Sequence, residues 1–385
     1  MKSYKLKDIT NLITCGVAKR PEYVDDGVMF LSSQNVKADR IILDKYNCIS
    51  EEGYVKLTKI NKPLKGDILY TRVGSFGEAA VVDFDDEFAV YVSLTLIKPK
   101  EDVINNRYLM HYLNSPKIKN FAQNNTRGIG VQNLNVDTVR DFDILVPSLE
   151  KQHKIVKILD RVQELIDKRK AQIEALDELV KSRFIDMFGE PVLNTKNWEI
   201  KSVIDVCDCM VPGRDKPKSF TGSTPWITID DLNVNGVTYK SKSNLGLTDN
   251  EINEVKRKKV PKGSVLMSCV GNLGICSIAG EKMIINQQLH SFQCKDINNF
   301  FLMYYLGFRK DYMMSQANST TVLYMNKTVC NSIPVYIPPI ELQNQFADFV
   351  KQIDKLKFEM EKSLKELEDN FNSLMQKSFN GELFN

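Results

Sequence analysis

The sequence lacks the features of a membrane, secreted or metal-binding protein. No apolar run approaches the roughly 20 residues that a membrane-spanning helix needs, and the N-terminus MKSYKLKDIT has no apolar signal-peptide core. The chain has 3 histidines, His111, His153 and His290, which are widely separated and have no cysteine or carboxylate at metal-ligand spacing. Its 8 cysteines form no framework. We therefore expect a cytoplasmic protein with reduced thiols and no metal.

Catalytic motifs are also missing. The glycine-rich stretches at residues 74–77 and 271–274 are too short for a nucleotide-binding loop, and we expect each to join two strands. The pair Pro338-Pro339 lacks the preceding Asp or Asn and the following aromatic residue of an amino-methyltransferase pocket. We expect a chain that is not an enzyme and binds no cofactor.

Charge is small and unevenly distributed. The formal net charge is +3, which does not by itself indicate a nucleic-acid partner. Residues 191–337 hold 17 Lys+Arg against 12 Asp+Glu, whereas residues 338–385 hold 6 against 9. A basic globule beside an acidic helix is compatible with one surface for DNA and another for protein, and also with a solvated surface.

Two long helices are predicted, and both have clear ends. Each starts near a proline that is followed by a glutamate, Glu150 or Glu341, and each stops at a glycine, Gly189 or Gly381. At 1.5 Å per residue, a helix of about forty residues is roughly 60 Å long. Apolar residues recur at spacings of three and four, which predicts that the helices pair as an antiparallel coiled coil: Ile155, Ile158, Val162, Leu165, Leu176 and Leu179 in one helix, and Phe346, Phe349, Ile353, Leu356, Met360, Leu364, Leu367, Phe371 and Leu374 in the other.

The whole chain repeats once, as globule, helix, globule, helix. Residues 64–69 correspond to 261–266, and residues 108–113 to 301–306. The predicted boundaries are 1–146 and 191–337 for the globules, and 147–190 and 338–385 for the helices.

Within each globule the pattern predicts an α+β domain with a curved, mostly antiparallel sheet. The expected strands are residues 68–73, 79–84 and 91–97, with 265–270, 274–279 and 284–293 as their counterparts. Short helices are expected at 106–113 and 299–307, and at the globule starts, 6–13 and 203–210.

These elements together resemble the specificity subunit of a type I restriction–modification system. Each long helix carries a glutamine in its first turn, Gln152 or Gln343. The second globule carries GSTPWITIDDL at residues 222–232, PKG at 261–263, VGNLG at 270–274 and NQQ at 286–288. The first globule has weaker versions, DGVMFL at 26–31 and RVGSFG at 72–77, and departs from the pattern with SQNV at 33–36.

The resemblance implies a DNA-reading scaffold. Each globule would be a target-recognition domain for one half of a split, asymmetric double-stranded DNA sequence. The helices would set the spacing of the halves and dock two DNA methyltransferase subunits, to which restriction or translocase subunits can add. S-adenosylmethionine would be bound by the methyltransferase partner.

We expect the DNA contacts on polar loops. Arginine can read guanine, Asn and Gln adenine, and Asp the cytosine amino group, whereas Lys216 and Lys218 suit phosphates. The run at residues 256–259, KRKK, is interpreted as the charged rim of a hairpin. The candidate contacts are Lys19, Arg20, Gln34, Asn35, Arg72, Ser75, Arg127 and Gln132 in the first globule, and Arg214, Lys216, Lys218, Asp230, Asp231, Asn233, Asn272, Thr320, Thr321 and Tyr324 in the second.

Two other functions fit the sequence. One is a stand-alone DNA-binding regulator whose helices only dimerise, and the other is a coiled-coil assembly protein with no DNA role. An effect of the basic surface on DNA binding would distinguish the second from a DNA reader.

Overall fold

The structure is a computed structural model that describes residues 2–74, 76–126, 133–213, 215–319 and 322–383. Its contacts divide the chain into two compact units. Unit 1 comprises residues 1–170 and 362–385, and unit 2 comprises residues 171–361. Each unit therefore contains one globule, part of the first long helix and part of the second.

Unit 1 alternates short strands with short helices before the first long helix begins. A 3-10 turn, Leu6–Ile9, precedes the second strand, and another, Ser33–Asn35, precedes the fourth. The strands are β1 (Lys2–Lys5), β2 (Thr10–Cys15), β3 (Val28–Leu31), β4 (Val36–Lys37), β5 (Arg40–Ile41), β6 (Asn47–Ile49), β7 (Ile68–Thr71), β8 (Ala79–Val81), β9 (Phe88–Val90), β10 (Leu94–Pro99) and β11 (Asp143–Val146), and the helices are α1 (Glu51–Thr58), α2 (Asn106–Leu113), α3 (Pro116–Asn124), α4 (Val136–Arg140) and α5 (Leu149–Phe188).

Unit 2 follows the same order. A 3-10 turn, Ile229–Asp231, lies between its third and fourth strands. The strands are β12 (Ile200–Ser202), β13 (Cys207–Met210), β14 (Thr224–Ile227), β15 (Val237–Thr238), β16 (Gly246–Leu247), β17 (Val265–Ser268), β18 (Cys276–Ala279), β19 (Ile284–Ile285), β20 (Leu289–Cys294), β21 (Asn318–Ser319), β22 (Leu323–Tyr324) and β23 (Pro334–Tyr336), and the helices are α6 (Val203–Val206), α7 (Asp249–Glu254), α8 (Asn299–Phe308), α9 (Lys310–Gln316), α10 (Lys327–Asn331) and α11 (Ile340–Phe379).

The sheets of the two globules share one strand order, to which the main sheet of unit 2 adds β15 at its edge. In unit 1 the order is β2-β10-β7-β8 in the main sheet and β6-β3-β9 in a smaller one. In unit 2 the orders are β13-β20-β17-β18-β15 and β16-β14-β19. The main-sheet pairs are antiparallel except β15 with β18, and each small sheet contains one parallel pair, β3 with β9 or β14 with β19. The predicted α+β class with an internal repeat is confirmed.

Some predicted elements were wrong. The start of each globule is one helical turn followed by a strand, not a helix over residues 6–13 or 203–210. The reason is that residues 10–15 and 207–210 pair with β10 and β20, which takes their backbone groups into a sheet. Residues 284–293 form two strands instead of one, because the Asn286 side chain accepts a hydrogen bond from the Gln288 amide (3.0 Å) and closes a turn.

The two long helices run antiparallel within each unit. In unit 1, Ile155 and Leu159 of α5 share a core with Met375 and Phe379 of α11. In unit 2, three residues from the end of α5 and two near the start of α11 share a core: Val180, Phe184, Phe188, Phe346 and Val350. Because the start of one helix meets the end of the other in both units, the predicted antiparallel pairing is confirmed.

The buried face of α5 differs from the predicted one. Leu165 and Leu179, both assigned to the seam, are 41% and 46% exposed, whereas Leu159 and Phe184 are buried. Each globule contributes to the burial of the helix, so the stripe that faces the core includes residues outside the three-and-four series. The predicted series therefore lies partly on an open face.

A buried glutamine in the first turn of each long helix joins the helix to its globule. Gln152 accepts a hydrogen bond from the Asn105 amide (2.7 Å) and donates to the Pro147 carbonyl (2.9 Å). Gln343 accepts from the Asn298 amide (2.8 Å) and donates in the same way to a proline carbonyl, that of Pro338 (2.7 Å). The two glutamines are 0% and 1% exposed, so each satisfies buried backbone groups on both sides of its junction.

Beyond these glutamines the two junctions differ in charge. Eight residues after Gln152, Asp160 accepts hydrogen bonds from Arg107 Nε and Nη2 (both 2.8 Å) and from His111 Nε2 (2.7 Å). Eight residues after Gln343 stands Lys351, whose Nζ lies 5.8 Å from the Phe300 ring centroid. The first junction is ionic, and the second presents an aromatic ring to a lysine.

Candidate nucleic-acid interface

One turn occurs at matching places in both globules, directly after β3 and β14. In unit 1, Asn35 Oδ1 accepts from the Ser32 amide (3.0 Å), and its Nδ2 donates to the Lys45 carbonyl (2.8 Å). In unit 2, Asp231 Oδ2 accepts from the Thr228 amide and hydroxyl (2.8 Å each). Both side chains are buried, at 4% and 8% exposure. The departure at residues 33–36 therefore keeps the turn, because the asparagine caps it as the aspartate does.

The residue just before this cap points outward in both globules. Gln34 and Asp230 are exposed, and they occupy matching positions of the two turns. The Asp230 backbone carbonyl accepts a hydrogen bond from Lys242 Nζ, which leaves its carboxylate free of that contact. The shared frame thus presents a different side chain in each globule.

Arg72 lies inside the first globule. It is 8% exposed and donates to the Leu134 carbonyl (2.9 Å), the Val92 carbonyl (3.0 Å) and Asn133 Oδ1 (3.0 Å). These bonds join three loops, and they account for most of its donors. As DNA contacts, Arg72, Asn35 and Asp231 stay predictions, and their polar atoms already have partners in the chain.

Further candidates of unit 2 lie on exposed turns. Asn233 is exposed, and its Nδ2 donates to the Val237 carbonyl (3.4 Å). Asn272 is exposed at the turn between β17 and β18, where its Oδ1 accepts from Lys310 Nζ (3.0 Å). Because Oδ1 already accepts this hydrogen bond, the Asn272 side chain can offer a ligand mainly the donors of its Nδ2. Tyr324 is 41% exposed at the neighbouring strand.

Four of the basic candidates, Lys19, Arg20, Lys216 and Lys218, are exposed. Lys19 and Arg20 lie on the loop after β2, and the Arg20 guanidinium lies 5.8 Å from the Tyr91 ring centroid. Lys216 and Lys218 are exposed on the loop before β14 and form no ion pair or hydrogen bond with another described residue. The remaining candidates lie outside the described residues: Ser75, Arg127, Gln132, Arg214, Thr320 and Thr321.

Sequence reasoning missed the role of Arg257. The run at residues 256–259 is no hairpin rim but the turn after α7, in which Lys256 has a positive φ of 49°. Arg257 points inward and is 6% exposed, while Lys259 pairs with Asp249 (2.7 Å). Nothing in four successive cations marks the one that is buried, so only the fold identifies it.

Two features are absent from the described residues. In that part of the chain, no helix combines the length and apolarity that crossing a membrane requires. Within the same residues, no group of three or more His, Cys, Asp or Glu is placed to hold a metal ion.

Two similar α+β globules, each with exposed polar turns and each packed on paired long helices, define a duplicated recognition scaffold. The model of the type I restriction modification DNA specificity domain matches residues 1–175 and 195–369. The chain belongs to this family, and it is a specificity subunit that recognises DNA sequence within a restriction–modification complex.

Individual relatives support the family assignment. The chain is 25% identical over 367 residues to a putative type I restriction enzyme MjaX specificity subunit from Methanocaldococcus jannaschii, with 91% of this chain and 86% of the relative covered. It is 24% identical to the MjaVIII specificity subunit of the same organism, with 79% and 76% covered.

Solved structures share the fold. One of them was solved to show the structural basis of complex assembly and conformational transition of the type I R-M system. It gives a TM-score of 0.60 at 17% identity, and 99% of this chain and 98% of that chain are covered. The S subunit from M. genitalium gives a TM-score of 0.54 at 14% identity, with 98% and 96% covered. The family assignment therefore rests on sequence, and these structures add the fold.

Proposed function

We propose that this specificity subunit reads a split, asymmetric DNA target, with one half contacted by each globule. We propose further that it is not catalytic and recruits two methyltransferase subunits, to which restriction or translocase subunits can add. In this proposal S-adenosylmethionine is bound by the methyltransferases and no cofactor by this chain.

The matching turns after β3 and β14 are the observation that carries the proposal. Asn35 and Asp231 hold the same turn, while Gln34 and Asp230 stand exposed at its tip. A glutamine can pair with adenine N6 and N7, whereas an aspartate can accept from the cytosine amino group. Two equal frames that carry different side chains suit two different half-sites.

The long helices support the partner proposal. Apolar side chains remain open on them: Leu165 in unit 1, and Leu179, Ile185, Leu356 and Phe358 in unit 2, at 41–64% exposure. Phe358 is the most exposed of these, at 64%. Large apolar side chains that are exposed on a helix can belong to a protein interface. Since the chain is a specificity subunit, the occupant we propose is a methyltransferase.

The test is co-expression with a DNA methyltransferase subunit from the same genome, followed by mapping of methylated bases. We expect a target of two short specified halves separated by unspecified bases. The chain alone, given S-adenosylmethionine and DNA, should transfer no methyl group. A continuous single target would contradict reading by two globules.

A helix variant tests the docking face. Phe358→Ser should reduce the amount of methyltransferase that copurifies with the chain. Glu359→Ser is the matched control, because Glu359 is exposed on the next position of the same helix and is polar. Equal recovery of the methyltransferase with both variants would place the docking face elsewhere.

A further inference from the structure

The loop that leads into β14 is held at both of its ends by buried charged residues. We name residues 215–221 the strap. Its upstream end is bound by Arg257, and its downstream end is bound by Glu251. Between these points lie Lys216, Pro217 and Lys218, and both lysines are exposed.

Arg257 is buried, and no carboxylate among the described residues forms a salt bridge with it. Its Nη2 donates to the Asp215 carbonyl (2.6 Å) and its Nη1 to the Ile285 carbonyl (3.0 Å). The guanidinium carbon lies 5.1 Å from the Trp226 ring centroid, and Nε is buried with no partner among the described residues. Burial lowers the pKa of this guanidinium below its ordinary value. Burial of a cation is costly unless its donors are hydrogen-bonded. The two hydrogen bonds of Arg257 also join the strap to β19.

Glu251 holds the other end from the first turn of α7. Its Oε1 accepts from the Ser219 hydroxyl (2.5 Å), the Thr221 hydroxyl (3.1 Å) and the Thr221 amide (3.2 Å). Its Oε2 accepts from the Thr248 amide (2.7 Å), which caps the helix. These bonds, the Ser219 hydroxyl first, lower the pKa of the Glu251 carboxyl to about 2, so it stays ionised near neutral pH.

Directly after the strap, the backbone at Gly222 packs closely against the backbone of residues 246 and 247. A side chain at Gly222 would meet the Leu247 carbonyl carbon at 1.9 Å, and the Gly222 amide donates to the Gly246 carbonyl (3.0 Å). The strap is therefore bound at residues 215, 219 and 221, and the residue that follows it, Gly222, is bound as well. The first globule has no equivalent of Arg257 at the matching position. Arg257 lies six residues before Gly263, and the residue six before Gly66 is Ile60, which is 88% exposed.

We propose that the strap is a preformed phosphate-binding segment of the second globule, and that Arg257 and Glu251 are the positioning residues for DNA contacts by Lys216 and Lys218. This rests on the proposed DNA-reading function. Proline fixes φ between the two lysines, so the ordering entropy of the segment is spent on folding and not on binding. Lysine suits a phosphate, which positions the protein without specifying sequence.

The test uses the full chain in complex with its methyltransferase. The probe is a mixed-sequence duplex of about 30 base pairs, three turns at about 10 base pairs each, titrated at several salt concentrations. Each phosphate contact contributes about 0.9 to the slope of log K against log salt. For Lys216→Gln/Lys218→Gln we expect a slope smaller by about 1.8 and weaker binding. The control Lys295→Gln, an exposed lysine already paired with Asp208 (2.6 Å), should keep the slope.

The positioning role is read from non-additivity. Arg257→Met and Glu251→Gln should each reduce the slope, and adding either to the double lysine variant should weaken binding no further. Trypsin should cut after Lys218 faster in Glu251→Gln than in the wild type, while methyltransferase recovery stays the same. Glu251→Gln keeps the test open if Arg257→Met does not fold.

Two results would overturn the proposal. An unchanged slope for the double lysine variant would remove the strap from the DNA contacts. If Arg257→Met or Glu251→Gln weakened DNA binding further when added to the double lysine variant, that residue would not act through the two lysines. If the wild-type complex bound no DNA at all, the proposed function itself would fail, which is a distinguishable result.

Discussion

The ionic junction of unit 1 allows a sharp prediction: Asp160→Asn should selectively loosen the contact between α2 and α5. Burial opposes ionisation of Asp160, but hydrogen bonds from His111 and Arg107 outweigh it and lower its pKa from 3.8 to about 2. The side chain is 27% exposed. A shift of that size corresponds to about 2 kcal/mol of stability near neutral pH. It agrees with the roughly 1.5–3 kcal/mol expected of hydrogen bonds to a charged group.

The assay must be local, because a chain of two compact units need not unfold in one step. Native-state hydrogen exchange of the α2 amides reports the opening energy of this junction. We expect Asp160→Asn to lower that energy by about 2 kcal/mol at neutral pH. The α8 amides of unit 2 should be unchanged.

The matched control is Lys351→Gln, eight residues after the second glutamine. Lys351 is 57% exposed and pairs with Asp348 (3.0 Å). A surface pair is worth about 0–1 kcal/mol, so the α8 amides should change little.

The effect of pH has a definite sign. Because the folded pKa of Asp160 lies below its unfolded value, the stabilisation is fully present above about pH 4 and is lost as pH falls towards 2. Wild type and Asp160→Asn should therefore converge at low pH. A loss under about 0.5 kcal/mol at neutral pH, or a loss as large in Lys351→Gln, would refute the reasoning.

Three further predictions follow from the same structure. Gln152→Leu should leave the Asn105 amide and a proline carbonyl unsatisfied, at a cost of about 1–3 kcal/mol each, seen as faster hydrogen exchange in unit 1 only. Asp230→Gln should change the base preferred at one position of the second half-site in methylation mapping, whereas Asp231→Asn should keep the preference, since Asn35 caps the matching turn; a change by Asp231→Asn alone would contradict this. Exchange of residues 1–146 for the same globule of a relative should alter only one half of the methylated target, and a change in both halves would show that the globules do not read independently.

The sequence by itself determined the internal repeat and the ends of the two long helices. The start of each long helix is marked by proline and its end by glycine, and Gly189 and Gly381 have φ of 79° and 80°. The positive φ values of Gly74 and Gly271, 80° and 74°, follow in the same way, because they are local conformational requirements. Such features depend on neighbours in the chain, so sequence patterns predict them.

The buried faces of the long helices were not determined by the local sequence pattern. A spacing of three and four defines a stripe on a helix, but which stripe is buried depends on what packs against it. Here each globule covers part of its helix, so Leu159 is buried and Leu165 is open.

The candidate site shows the same division. Exposed candidates such as Gln34 and Lys216 came from polar loop composition, and the structure leaves them on the surface. Asn35, Arg72 and Arg257 were indistinguishable in the sequence from surface polar residues. Their burial is decided by backbone carbonyls and amides that distant segments bring to them, as Asp215 and Ile285 are brought to Arg257. Hydrogen-bond partners 28 and 42 residues away come together only when the sheet forms.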